Sequence, residues 1–247
     1  MATSHNYGRG MEKVVIIINA DVSEQGKLIS ASPVTQKMVE ALKQSIAANS
    51  LSSTTVEIIS AATLWSRQPK INQPDSKTIY CPLTIQLPEY FDFPQKNIYS
   101  ACKDILGRRL WVERNLGFKT TVGDSWLGHL WLPIIMTGKK PIYAEVIGEG
   151  AVPNSYEQPI DIPPGQRKSL HTLADKLLDS LAAPPATYLL QFSLYNSEIV
   201  FDRLWPFPAA PALITLKTQH PNLFNCHWSC LTQQPILDIN ISDAMPI

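Results

Sequence analysis

The most regular pattern in the chain lies at its start. Val14–Asn19 (VVIIIN) is a short apolar run and reads as a buried strand. Thr35–Ala48 (TQKMVEALKQSIAA) then places Met38, Val39, Leu42 and Ile46 on one helical face, and Pro33 just before it suits a helix start. Val56–Ser60 (VEIIS) reads as a second strand. This β-α-β opening predicts a parallel pair joined by a right-handed crossover. Thr78–Leu87 (TIYCPLTIQL) alternates apolar and polar positions, but Pro82 confines it to an edge strand or a broken one. Gln95–Leu106 predicts a helix, and Leu110–Arg114 (LWVER) fits either a strand or a helix end.

Beyond these, Trp126–Met136 (WLGHLWLPIIM) is apolar and aromatic, interrupted by Gly128 and Pro133, and Pro141–Ile147 (PIYAEVI) predicts a strand. Pro153–Pro164 reads as a proline-rich loop. Ser169–Leu181 is the plainest amphipathic helix, with Leu170, Leu173, Leu177, Leu178 and Leu181 on one face. Residues 188–214 (YLLQFSLYNSEIVFDRLWPFPAAPALI) predict two strands separated by a turn at Asn196-Ser197. The second strand ends on the charged pair Asp202-Arg203 and runs into aromatics and prolines. From Thr215 onward no strong period is present. The fold class expected is α/β or α+β, with mixed or antiparallel sheet following the βαβ-type N-terminal region.

Composition narrows the functions open to such a fold. Lys plus Arg equals Asp plus Glu at 21 each, so the chain lacks the excess positive charge that nucleic-acid binding needs. No apolar run approaches the ~20 residues of a membrane helix, so no transmembrane segment is expected. Four cysteines in 247 residues do not make a disulfide framework, and a reducing, cytoplasmic setting is expected. Residues 1–10 are polar and read as a flexible arm, with Met11 the more natural start. Twenty prolines against 11 glycines favour stiff connections over glycine-rich phosphate loops. The P-loop, dinucleotide-fingerprint, metalloprotease and nucleophile-elbow motifs are all missing.

Asp202 raises the first chemical question. A buried lone acid costs several kcal/mol, so it must be exposed, paired or metal-bound, and Arg203 points to the opposite face of an ideal strand. The order proline-rich loop, amphipathic helix, strand, turn, strand, acid, proline resembles the C-terminal half of ATP-grasp proteins. In that family an antiparallel pair carries the acids that hold Mg²⁺ against ATP phosphates. With the arm 1–10 and the βαβ-like region 11–95 read from the pattern, the resemblance implies an ATP-grasp-like region over 96–247. It places Asp202 at the acid of the second strand and Gln191 at that of the first, with Leu204 where an Asn is expected. It also implies nucleotide contacts from Glu145 and Glu149 in a hinge, and from Lys139 and Lys140 before it. The segment FDRLWPFPAAPAL is similar to cyanobacterial proteins. With one of three ligands of the expected type, the resemblance implies a scaffold with an incomplete metal site and a binding, assembly or regulatory role. Its partner would be a protein or a small anionic ligand. The alternative is an ATP- and Mg-dependent carboxylate–amine ligase.

Two other constellations stand outside that resemblance. Arg108, Arg109 and Arg114, with Arg203, are candidates for gripping a carboxylate or phosphate, because guanidinium presents a fork of donors. His220, Cys226, His227 and Cys230 have the elements of a zinc site but not the usual C-x₂-C pairing, and buried thiols are the competing reading. The six tryptophans suit either core packing or a protein contact patch.

Overall fold

A computed structural model of the chain describes residues 13–23, 25–49, 54–66, 78–123, 127–138, 140–236 and 238–241. The first strand, β1 (Lys13–Ile18), buries five of its six residues. With both of its faces buried it needs apolar residues at successive positions, which is why VVIII runs unbroken instead of alternating. Helix α1 (Pro33–Asn49) follows, with Ser32 Oγ accepting the Thr35 N–H at 3.1 Å as its cap. It buries Met38, Val39, Leu42 and Ile46. Next come β2 (Thr55–Ser60), α2 (Ala61–Ser66) and β3 (Thr78–Pro82). The sheet order is β2-β1-β3, with both pairings parallel. Pro82 closes an edge strand, where a missing N–H leaves no ladder bond unmade.

Helix α3 (Lys96–Lys103) leads at Asp104 into α4 (Ile105–Leu116). The Asp104 carboxylate accepts the Gly107 N–H at 3.0 Å, and Gly117 ends α4 at φ 70°. LWVER is therefore helical throughout. The second sheet is built from β4 (Lys119–Thr120), β5 (Leu130–Met136), β6 (Pro141–Tyr143), β7 (Val146–Glu149), β8 (Tyr156–Ile160) and, after α5 (Pro164–Ser180), β9 (Ala186–Tyr195) and β10 (Glu198–Trp205). Its order is β4-β10-β9-β5-β7-β8, with β6 also on β5. Only the β4–β10 pairing is parallel.

Three expectations change here. PIYAEVI is not one strand: it breaks at Ala144-Glu145 into β6 and β7. The reason lies in β5, which pairs β7 through Leu130 and Trp131 and then β6 through Ile134–Met136. Pro133, which has no N–H to donate, sits at the changeover. The proline-rich loop 153–164 contains β8, and the aperiodic tail contains α6 (Thr215–Thr218), β11 (Gln219–His220), α7 (Leu223–Leu231) and β12 (Asn240–Ile241). Helix α7 packs on β9, β5 and α1, and Ser45 Oγ of α1 donates to Asn225 Oδ1 at 2.5 Å. Buried on several sides, it shows no single apolar stripe. Among the described residues no helix is long and apolar enough to cross a membrane.

The β9–β10 turn is as expected. Asn196 and Ser197 sit at φ 50° and 64°, the left-handed pair that matches the twist of a two-residue hairpin. Asn tolerates that region and Ser does so less well. Ser197→Gly is expected to raise stability by about 0.5–1 kcal/mol in urea unfolding.

Candidate functional site

The end of the β9–β10 hairpin carries a buried polar cluster. The pairing register shifts between Phe201 and Arg203, so Asp202 is the extra residue of a β-bulge. The bulge breaks strict alternation. Arg203 Nε consequently reaches Asp202 Oδ1 at 3.1 Å, although an ideal strand would point the two side chains apart. The dominant partner comes from α4, 93 positions earlier: Arg109 Nη2 lies 2.5 Å from the same oxygen, and its Nε donates to the Asp202 carbonyl at 3.0 Å. Arg109 Nη1 donates to the Gly123 carbonyl at 2.8 Å. The other carboxylate oxygen, Oδ2, accepts the Gly128 N–H at 2.7 Å. Asp202 is 0% exposed and Arg109 4%.

Gln191 completes the cluster without adding charge. Its Nε2 donates to the Gly128 carbonyl at 2.6 Å and its Oε1 accepts the Trp205 indole N–H at 2.9 Å. Gly128 is required at this spot, because a Cβ there would stand 2.6 Å from the Phe192 carbonyl oxygen. The 128–130 segment is thereby held against β9.

This arrangement does not fit Mg²⁺. Both Asp202 oxygens are occupied by donors, two guanidinium groups already neutralise the acid, and Gln191 is committed at both ends. A hard cation needs several free oxygens instead. Among the described residues no group of three or more His, Cys, Asp or Glu side chains stands ready for a metal. The sequence-based placing of a metal at Asp202 and Gln191 is corrected accordingly, although the two residues do share one network. Arg109 is likewise not a surface anion binder: its guanidinium is spent inside the fold. Arg203 is part of the same cluster, with its guanidinium 5.9 Å from the Trp205 ring centroid. Arg108 is half-buried, and Arg114 is exposed in the last turn of α4, where a cation complements the helix dipole. The four arginines do not form one anion grip.

The hinge lies across the sheet. Glu145, between β6 and β7, pairs with Arg167 of α5 at 2.8 Å, and its carbonyl accepts Gln158 Nε2 at 2.9 Å. Next to it the Tyr143 ring stacks on His171, with centroids 3.9 Å apart and planes within 6°, and the Tyr143 hydroxyl donates to Asp175. Partial burial first, and then Arg167, hold the His171 pKa below its usual value. Glu149 is exposed at the end of β7, and Lys140 is exposed just before β6. Lys139 lies outside the described residues. Sequence reasoning missed this grouping: Arg167 and His171 stand one turn apart on α5, but Tyr143 and Glu145 reach them from β6 and the segment after it, so no local motif joins the set.

The C-terminal cysteines and histidines do not converge on a metal. Cys226, His227 and Cys230 are buried in α7, while His220 is exposed on β11. Burial pushes both thiols up to about 12, which keeps them protonated and poor ligands. His227 Nδ1 accepts the Thr187 N–H at 3.1 Å, so its role is to satisfy β9 backbone. The packing reading of these residues fits the geometry, and the zinc reading does not.

No protein-family model matches the chain. A formate-dependent phosphoribosylglycinamide formyltransferase from Synechococcus sp. (strain CC9311) is 29% identical over 106 residues, 42% of this chain. The match covers 27% of that protein, so the chain spans about a quarter of the curated relative's length. Among solved structures, N5-carboxyaminoimidazole synthetase from Staphylococcus aureus superposes with a TM-score of 0.65 at 11% identity, over 97% of this chain and 82% of that one. Carboxyaminoimidazole ribonucleotide synthase from Aspergillus clavatus complexed with ATP gives 0.61 at 8% identity, over 92% and 78%. These are ATP-grasp proteins, and the mixed α/β fold of this chain is similar to theirs.

Proposed function

We propose that this chain binds ATP on its ATP-grasp-like scaffold and acts as an ATP-dependent ligase of the carboxylate–amine kind. The observation that carries this reading is the similarity over nearly the whole chain to synthetases, one of them complexed with ATP. The formyltransferase likeness points the same way. In this reading Glu145 and the adjoining strand backbone hold the base and ribose, with Arg167 fixing the carboxylate, and Lys140 meets the phosphates. The likenesses favour this over a purely regulatory role.

One observation favours a second reading, in which the scaffold binds without turnover: the hairpin end holds an internal ion pair instead of a set of metal acids. Both readings require ATP binding and differ in turnover. Isothermal titration of ATP in EDTA is expected to show binding, and Mg²⁺ is expected to change the affinity by less than threefold. Glu145→Ala is expected to weaken it about tenfold, or about 1.4 kcal/mol. No heat and no thermal shift at millimolar ATP would remove the nucleotide from both readings. Release of ADP with an amine and a carboxylate present would favour the ligase, and ATP binding without any release the second.

A further inference from the structure

A cavity of about 260 Å³, sharing no lining residue with the hinge, opens between α3 and the segment that follows β3. Its site is set by the first sheet. The segments leaving β2 and β3 emerge at the same, carboxyl, edge of a parallel sheet, the edge where open α/β sheets present ligand crevices. There α2 and the 83–95 segment are tied together: Trp65 Nε1 donates to the Gln86 carbonyl at 3.4 Å, and the Tyr90 hydroxyl donates to the Leu64 carbonyl.

The cavity has an aromatic wall and a cationic rim. Phe91 and Phe93 stack with centroids 5.2 Å apart, and Tyr99 meets Phe93 edge-on at 5.4 Å. Tyr99 is itself anchored, its hydroxyl donating to the Pro82 carbonyl at 2.7 Å. Lys96, Ser100 and Lys103 recur at the spacing that puts residues on one face of α3, and all three line the cavity. Lys103 is held in place: its ammonium donates to the Leu87 carbonyl at 3.1 Å and lies 5.3 Å from the Trp65 ring centroid. Lys96 has no carboxylate partner among the described residues. Glu89 is the one acid lining the cavity, so two cations face one anion and the rim is net positive.

We infer that this cavity binds a small single-ring molecule carrying a carboxylate or phosphate, its ring against Phe91 and Phe93 and its anion between Lys96 and Lys103. The volume lies just below the range of drug-sized pockets, which suits one ring. A hydrophobic wall without the cations would take any apolar compound, and the cations without the wall would take any anion. The pairing selects for both at once. This site is separate from the hinge and does not depend on the ATP reading.

Phenyl phosphate is the probe, with inorganic phosphate and phenol as its two halves, titrated calorimetrically and by the emission of Trp65, which is 53% exposed. Phenyl phosphate is expected to bind at least tenfold more tightly than either half. Lys96→Ala is expected to weaken it at least fivefold with an unchanged circular dichroism spectrum. Lys103→Met serves as a second variant with the same expected direction. Saturating phenyl phosphate is expected to leave ATP binding unaltered. Equal binding of phenyl phosphate and inorganic phosphate, an unchanged affinity in Lys96→Ala, or displacement by ATP would each overturn the assignment.

Discussion

Asp202→Ala is expected to cost about 3–5 kcal/mol of folding stability, because it leaves the buried Arg109 guanidinium without its counter-ion. For a chain of this size that corresponds to a fall in Tm of about 6–20 °C. The cost comes from the stranded charge and exceeds what the pair itself contributes, since two buried ions are expensive to desolvate in the first place. The Arg109→Met/Asp202→Leu double variant is therefore expected to recover more than half of the loss. Urea unfolding of Asp202→Ala and of the double variant measures this directly. A loss below about 1 kcal/mol in Asp202→Ala would mean that the carbonyls of residues 202 and 123, with solvent, satisfy the Arg109 guanidinium without the acid.

The same pair bears on function. A carboxylate bonded to two guanidiniums and a backbone N–H offers a cation nothing that is free, so Mg²⁺ has to displace Arg109 before it binds there. Breaking that pair would separate α4 from β10 and release the Gly123 carbonyl. The expected indifference of ATP binding to EDTA and the expected fragility of Asp202→Ala thus rest on one geometry. ATP binding that needs Mg²⁺, together with a mild Asp202→Ala effect, would contradict it twice.

The parts of this fold that were legible in the sequence are those whose physics is local. VVIII is apolar throughout because both faces of β1 are buried, α1 and α5 each present one apolar stripe, and Asn196-Ser197 accepts the left-handed turn that closes β9 on β10. What escaped depends on distant partners. PIYAEVI looks continuous, and only the changeover at Pro133 on β5 explains its break. Helix α7 has no stripe because β9, β5 and α1 surround it. At the hairpin end, Asp202 was readable as an acid in need of a partner. Its partner stands 93 positions away, and the bulge that turns Arg203 toward it alters no residue type. The cavity beside α3 was equally hidden, since Trp65, Phe93 and Lys103 meet only once β2 and β3 lie parallel.

Acid is expected to weaken the fold through His227. Its imidazole is buried, with Nδ1 accepting the Thr187 N–H, so the neutral ring must carry its proton on Nε2, for which the described residues offer no acceptor. Protonating Nδ1 would break the bond to β9 and place a charge among Leu223, Trp228 and their neighbours. Burial pushes the His227 pKa down from 6.5 to about 3. The unfolded chain therefore binds one more proton than the folded one between those values, and stability falls with pH across that window by about 1.4 kcal/mol per unit. At pH 4.5 the loss from this residue alone is about 3 kcal/mol relative to neutral pH. His227→Gln keeps an acceptor for Thr187 but does not titrate. It is expected to be less stable at pH 7 and to have a flatter profile, so that the two curves converge toward pH 4.5. Carboxylates contribute equally to both proteins and cancel in the difference. Parallel urea midpoints for wild type and His227→Gln from pH 7 to pH 4.5 would show that the ring takes up its proton equally in the folded and unfolded chain, and would overturn the burial argument.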